Sequence, residues 1–416
     1  MRLFNRQWKI KPVLLAGLLI PCLLFSSCRT DRDFDDALKS IVQPYLFSFH
    51  RWELGALLDE LGQIIGKENR LPENPLDVVG EYFSSVDRIK TLRTEIALAD
   101  AANDKGKLSS LQTELDNLQT RATALEGMIE RILEQQIRDT LTRLDIFHPA
   151  DRYLKFRVSF PPVNFKLENP PLVLVISPRD RIESIREITL LPDIPLTERK
   201  DIEAKTDELG VSSLVVTIGG LGATYPTLVT NEASLRFIID TATEEWLHQY
   251  LAFKPLGFSY LLDLTGISPN YEIATMNETL AGMVSEEVGS IIYQTYYNEQ
   301  GNGNDDDAET EPEFDFNHEM REIRKTVDAL LTGGEIEQAE KFMEEKRQYL
   351  ASMGYYIRKL NQAYFAFHGT YADEPTSVSP IGAEMRQLRK QVSSLKEFLN
   401  LAASMTSRED LKLHLE

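Results

Sequence analysis

Leu108, Leu111, Leu115, Leu118, Ala122, Leu125, Ile129 and Ile132 follow one another at alternating intervals of three and four. That 3.5-residue period is a heptad seam, so this stretch must be a long helix with one apolar side that needs a partner. The helical pattern runs from about Asp35 to Ile146, broken by Pro72 and Pro75 and by the polar Asn103 to Gly106 segment. Two amphipathic helices joined by a short polar loop predict an antiparallel helical hairpin, arching over the rest of the protein. Only about four heptads are sustained, which favours a scaffold within one chain over a dimerisation stalk.

The pattern changes at Pro149. Leu154 to Phe160, Leu172 to Ser177 and Leu214 to Ile218 are rich in β-branched and aromatic residues and bounded by Pro or Gly, which predicts a small sheet. Gly219, Gly220 and Gly222 follow the last run without the Lys-Ser/Thr of a phosphate loop, so they mark a turn or a close backbone approach. Helical periodicity returns over Asn231 to Phe253 and Glu272 to Tyr297. Gln300 to Asp315 is acidic and lacks apolar residues to bury, as a solvated linker does. Beyond it helices are expected at Phe316 to Leu331, Ile336 to Phe367, Ala383 to Ala402 and near Arg408.

The N-terminus constrains location. Arg2, Arg6, Lys9 and Lys11 precede an apolar run from Val13 to Phe25, too short to span a membrane comfortably. Phe25, Ser26, Ser27 and Cys28 end it in a way that resembles the lipobox of bacterial lipoproteins. The resemblance implies cleavage after residue 27 and a lipid on Cys28, leaving the mature chain outside the cytoplasm and attached to a membrane. Cys22 would leave with the leader, so no thiol pair remains and stability must come from packing. The 42% hydrophobic content can supply it. A net charge of −20 makes nucleic acid an improbable partner, and loss of the basic leader deepens it.

The segment Thr243, Glu244, Glu245, Trp246, Leu247, His248 lies in an otherwise apolar helical pattern. Residues four apart share a helix face, so Glu244 and His248 could grip one cation with Glu245 alongside. Downstream, Met276, Asn277, Glu278, Thr279, Leu280, Ala281 forms an Asn-Glu-x-x-Ala run. The pair resembles the His-Glu-x-x-His helix and third-ligand helix of gluzincin metallopeptidases, such as the thermolysin and M1 aminopeptidase families, with Glu244 where the first His stands. The resemblance covers roughly Leu214 to Tyr297. It implies Glu244, His248 and Glu278 as metal ligands and Glu245 as general base. The resemblance implies zinc, but a one-His, two-carboxylate set is harder and more anionic than the family's, so zinc binds less selectively and manganese or iron are alternatives.

A peptidase of this type also needs a donor for the oxyanion. Arg358, Asn361, Tyr364 and His368 recur at three- and four-residue intervals in an aromatic segment. Tyr364 and His368 are the candidates; a buried polar network tying this helix to its neighbours explains the same pattern.

The expected architecture is α+β and mostly helical. After a lipoprotein signal peptide (1–27) come a helical hairpin (28–148), a small sheet with two metallopeptidase-like helices (149–298), an acidic linker (299–316) and a C-terminal helical domain (317–416). The expected activity is peptide-bond hydrolysis on a peptide or protein substrate. The contrasting expectation is a non-catalytic lipoprotein that uses the same shell as a binding or scaffold module at the cell envelope.

Overall fold

The computed structural model describes residues 29–47, 71–101, 104–147, 161–265, 267–297, 314–369 and 379–416. The leader with Cys28, the Leu154 to Phe160 run and nearly all of the acidic linker fall outside them. The fold is α+β and mostly helical, as the periodicity implies.

The heptad seam becomes a hairpin of α2 (Pro75–Ala101) and α3 (Lys105–Arg143). Asp104 caps α3, its carboxylate accepting the Lys107 N–H at 3.0 Å. Leu111, Leu115, Ala122, Ile129 and Ile132 of the seam are buried, and Arg88–Glu114 and Arg121–Glu81 ion pairs bridge the two helices. Nearer its C-terminus α3 leaves its partner for the main core, where Ile137 and Leu141 are fully buried.

The strands form two three-stranded sheets rather than one. The first has the order β3-β2-β4, all antiparallel, from Arg186–Leu190, Leu172–Pro178 and Val211–Val216. Nearly every residue of β2 is buried, which explains its unbroken apolar run. The second has the order β1-β6-β5, from Phe165–Leu167, Thr227–Val229 and Gly220–Leu221. Here the hairpin braces the sheet. Glu134 and Glu130 of α3 accept the N–H groups of Phe165 (3.1 Å) and Leu167 (2.8 Å) along the open side of β1.

Helix α1 (Arg29–Val42) precedes the hairpin; between the strands and after them run α4 (Leu196–Asp207), α5 (Leu235–Leu251), α6 (Pro255–Leu264) and α7 (Tyr271–Tyr296). Helices α5 and α7 pack together in the main core, with the lower part of α3 and with α11 (Ile381–Gln391), α12 (Leu395–Ala403) and α13 (Arg408–Leu413). A separate core forms between α8 (Phe316–Thr332) and α9 (Ile336–Ser352), closed by Phe365.

Two expected helices are corrected. Ala383 to Ala402 is interrupted where α11 stops at Gln391, Val392 turns extended and α12 restarts at Leu395 on the Ser394 cap. Ile336 to Phe367 is not continuous: α9 stops at Ser352, Gly354 adopts φ +93°, and a short α10 (Gln362–His368) restarts on the Asn361 cap.

Candidate metal centre

Helix α5 starts on Ser234, whose hydroxyl accepts the Phe237 N–H. It buries Ile238, Ile239, Ala242, Trp246, Leu247 and Leu251, so its ionisable residues Glu244, Glu245 and His248 are left on the partly exposed side. The Trp246 indole N–H donates to the Pro161 carbonyl at 2.7 Å and fixes the rotation of the helix. Helix α7 starts on Asn270, whose side chain accepts the N–H groups of Glu272 and Ile273. The two helices cross closely at Gly289, where an added Cβ would lie 1.7 Å from Asp240 Oδ1.

This crossing brings the two sequence motifs together. Glu244, His248 and Glu278 offer one ligand atom each, all within 4.8 Å of one another. His248 Nε2 lies 3.5 Å from Glu278 Oε2, and both side chains are largely buried. Tetrahedral ligation at roughly 2.1 Å needs ligand atoms about 3.4 Å apart. The His248–Glu278 edge already matches, and Glu244 lies within 4.8 Å of both. The donor chemistry fits a divalent cation.

Asn277, the residue before Glu278, places its side-chain amide 2.9 Å from His248 Nδ1. The face it presents sets the tautomer. As placed, the amide N–H donates to Nδ1, which leaves the ring proton on Nε2 facing Glu278. A cation there requires the amide turned over, so that its oxygen, buried without a partner as it stands, accepts an Nδ1 proton and the Nε2 lone pair is free for the ion.

Glu245 occupies a different environment, against the second sheet. Added Cβ atoms at Gly220 and Gly222 would lie 2.6 Å from its carboxylate oxygens, so only glycine permits this approach. Gln249, one turn on, holds the same loop through the carbonyls of Gly222 (3.0 Å) and Thr224 (3.1 Å). Burial pushes the Glu245 carboxyl up to about 7; the Glu278 charge adds to this, and His248 and the Gly222 N–H oppose it. The glycines thus mark a close approach, one of the two readings their spacing allowed.

Tyr260 of α6 was not legible as a site residue. Its hydroxyl donates to Glu278 Oε1 in a short hydrogen bond, and burial first, then the Glu278 charge, pushes the phenol well above its usual range. Glu187 of β3 also feels this cluster: desolvation raises its carboxyl most, the Glu278 and Asp263 charges raise it further, and the Ser184 hydroxyl opposes them.

Compared with known protein families, curated proteins and solved structures, this chain matches none.

The remaining expected site residues lie on α10, which packs against β2 and β4. Tyr364 and His368 stack with ring centroids 4.4 Å apart, and burial pushes the His368 imidazole down to about 4. Arg358 and Asn361 belong to a structural network. Arg358 forks onto buried Glu203 at 2.8 and 2.6 Å, and Asn361 donates to the Ser213 carbonyl at 2.9 Å. His318 is exposed in the first turn of α8. A cleft of about 610 Å³, lined by Arg93, Arg199, Gly219 and Phe237 among others, opens about two turns before Glu244 on α5; the three ligands do not line it.

Proposed function

We propose that this chain is a membrane-anchored, extracytoplasmic protein of metallopeptidase type that hydrolyses peptide bonds. The observation that carries the reading is the convergence of Glu244, His248 and Glu278 from two helices, with Glu245 beside them. A divalent cation held by these residues would supply Lewis acidity to a carbonyl and lower the pKa of a water. One imidazole and two carboxylates neutralise such an ion fully; the imidazole suits zinc, and the two carboxylates make manganese and iron competitive.

The chain's own residues then divide the work. Glu245, raised toward neutrality by burial, accepts a proton from the attacking water and returns it to the leaving amine. Tyr260 fixes the Glu278 carboxylate, and Asn277 fixes the His248 ring. The donor to the developing oxyanion is proposed to come from Tyr364 or His368, since the Tyr260 hydroxyl is committed to Glu278; a neutral His368 can offer an N–H at neutral pH. The lipid on Cys28 would hold the protein at the membrane.

A second reading has its own support. Tyr260 and His248 both engage Glu278, so the cluster can also serve as a self-consistent polar network in a non-catalytic binding protein. Hydrolysis of a quenched fluorescent protein substrate separates the two. Glu245→Gln is expected to reduce the rate by about a hundredfold or more with folding intact. Equal rates for Glu245→Gln and the parent chain would contradict catalysis and favour the binding protein.

A further inference from the structure

Helix α6 is strongly apolar yet buries only Leu256 and Gly257 fully. Phe258, Leu264 and, just past its end, Ile267 are 58%, 61% and 73% exposed, with half-buried Leu261 between them. The spacing of three runs them as one stripe along the helix and the turn after it. Phe258 is about 200° around the helix from Tyr260 and Leu261 about 100°, whereas Leu264, four residues on, shares the side of Tyr260, so the stripe turns away from the metal cluster at Phe258 and borders it at Leu264.

The chain itself indicates what lies against this stripe. Helix α1 begins at Arg29, directly after Cys28, and Asp35 on its second turn accepts a 2.7 Å hydrogen bond from Arg186 at the start of β3. The next residue of that strand is Glu187, which lies close enough to Asp263 to feel its charge, and Asp263 precedes Leu264 on α6. The start of α1 and the end of α6 are therefore at the same end of the molecule. A chain tethered through Cys28 presents this end to its membrane.

We propose that the Phe258, Leu264 and Ile267 stripe is a second membrane contact that rests on the bilayer holding Cys28. This rests on the reading of Cys28 as lipidated. Apolar side chains of a surface helix partition into the headgroup boundary, where a tether makes even a modest contact effective. The flanking Asp263, Glu272 and Glu187 select zwitterionic over anionic headgroups. One consequence is that the metal cluster, one helix away through Tyr260, is held near the membrane surface.

The test uses the full chain, purified from membranes and reconstituted into phosphatidylcholine vesicles. Leu264→Cys in a Cys22→Ala background carries an environment-sensitive fluorophore, and Asp104→Cys at the outer turn of the hairpin serves as the control. Spin-labelled lipid is expected to quench the probe at 264 by about twofold or more and to spare the probe at 104; adding Phe258→Ser and Ile267→Ser should reduce that quenching. Flotation with the vesicles reports the anchor separately. A chain that floats but is unquenched at 264 overturns the stripe contact and leaves the anchor standing. A chain that does not float overturns both. A probe shielded without lipid quenching, in a particle of doubled mass, overturns the proposal in favour of a second copy.

Discussion

Gly222 matters because it has no side chain. Its would-be Cβ lies 2.6 Å from Glu245 Oε2 and 2.9 Å from the Glu245 carbonyl, both set by the packed α5 helix. Gly222→Ala must therefore push Glu245 aside, at a cost of about 1–3 kcal/mol in stability. Activity should fall at least about tenfold by misplacement of the base, while metal content holds. Denaturant unfolding, rate and metal assays together would show this pattern. Asp240, at the α5–α7 crossing, gives a pH signature. Burial raises its carboxyl to about 6 against the pull of Arg236, so its contribution is complete below about 3.8 and lost as pH rises through 6. Relative to the parent chain, Asp240→Asn should gain about 1–2 kcal/mol between pH 4 and pH 7, after discounting for partial exposure. Unfolding curves at the two pH values measure it; a gap that narrows instead would contradict the assignment.

At the scale of elements, the crossing of α5 and α7 is what turns two short motifs into one site. Gly289 lies three turns beyond Glu278 on α7, and no larger residue fits against Asp240 there. Gly289→Val should separate the helices, destabilise the fold by about 2 kcal/mol or more, and weaken metal binding although no ligand is altered. Calorimetric titration of the folded variant checks it. What the sequence revealed at this level follows from periodicity. The Leu108 to Ile132 seam and the order of helices after Asn231 were legible because burial on one side leaves a period. Glu244, Glu245, His248 and Glu278 stood out because charged residues interrupt apolar helices. Tyr260 left no such mark, being one tyrosine in an apolar helix that was itself missed. The Arg358 to His368 recurrence is not the face of one helix: Arg358 and Asn361 precede α10 and are spaced by their bonds to Glu203 and Ser213, the polar network that was one of the two readings of the pattern.

At the scale of the molecule, the sheet content was only partly legible, since β1, β5 and β6 are three residues or fewer and leave no alternation to read. No helix among the described residues is long and apolar enough to cross a membrane, so the proposed attachment depends on the leader and Cys28. Cys28→Ser should move the protein from the membrane to the soluble fraction or leave it unprocessed; unchanged partitioning and mass would contradict the anchor. The central claim concerns the metal, and elemental analysis of the purified full chain tests it most directly. The account predicts close to one divalent ion per chain in the parent and in Glu245→Gln, and loss of that ion in His248→Ala and in Glu278→Ala. A parent chain without metal, or one whose metal survives both ligand substitutions, would contradict it.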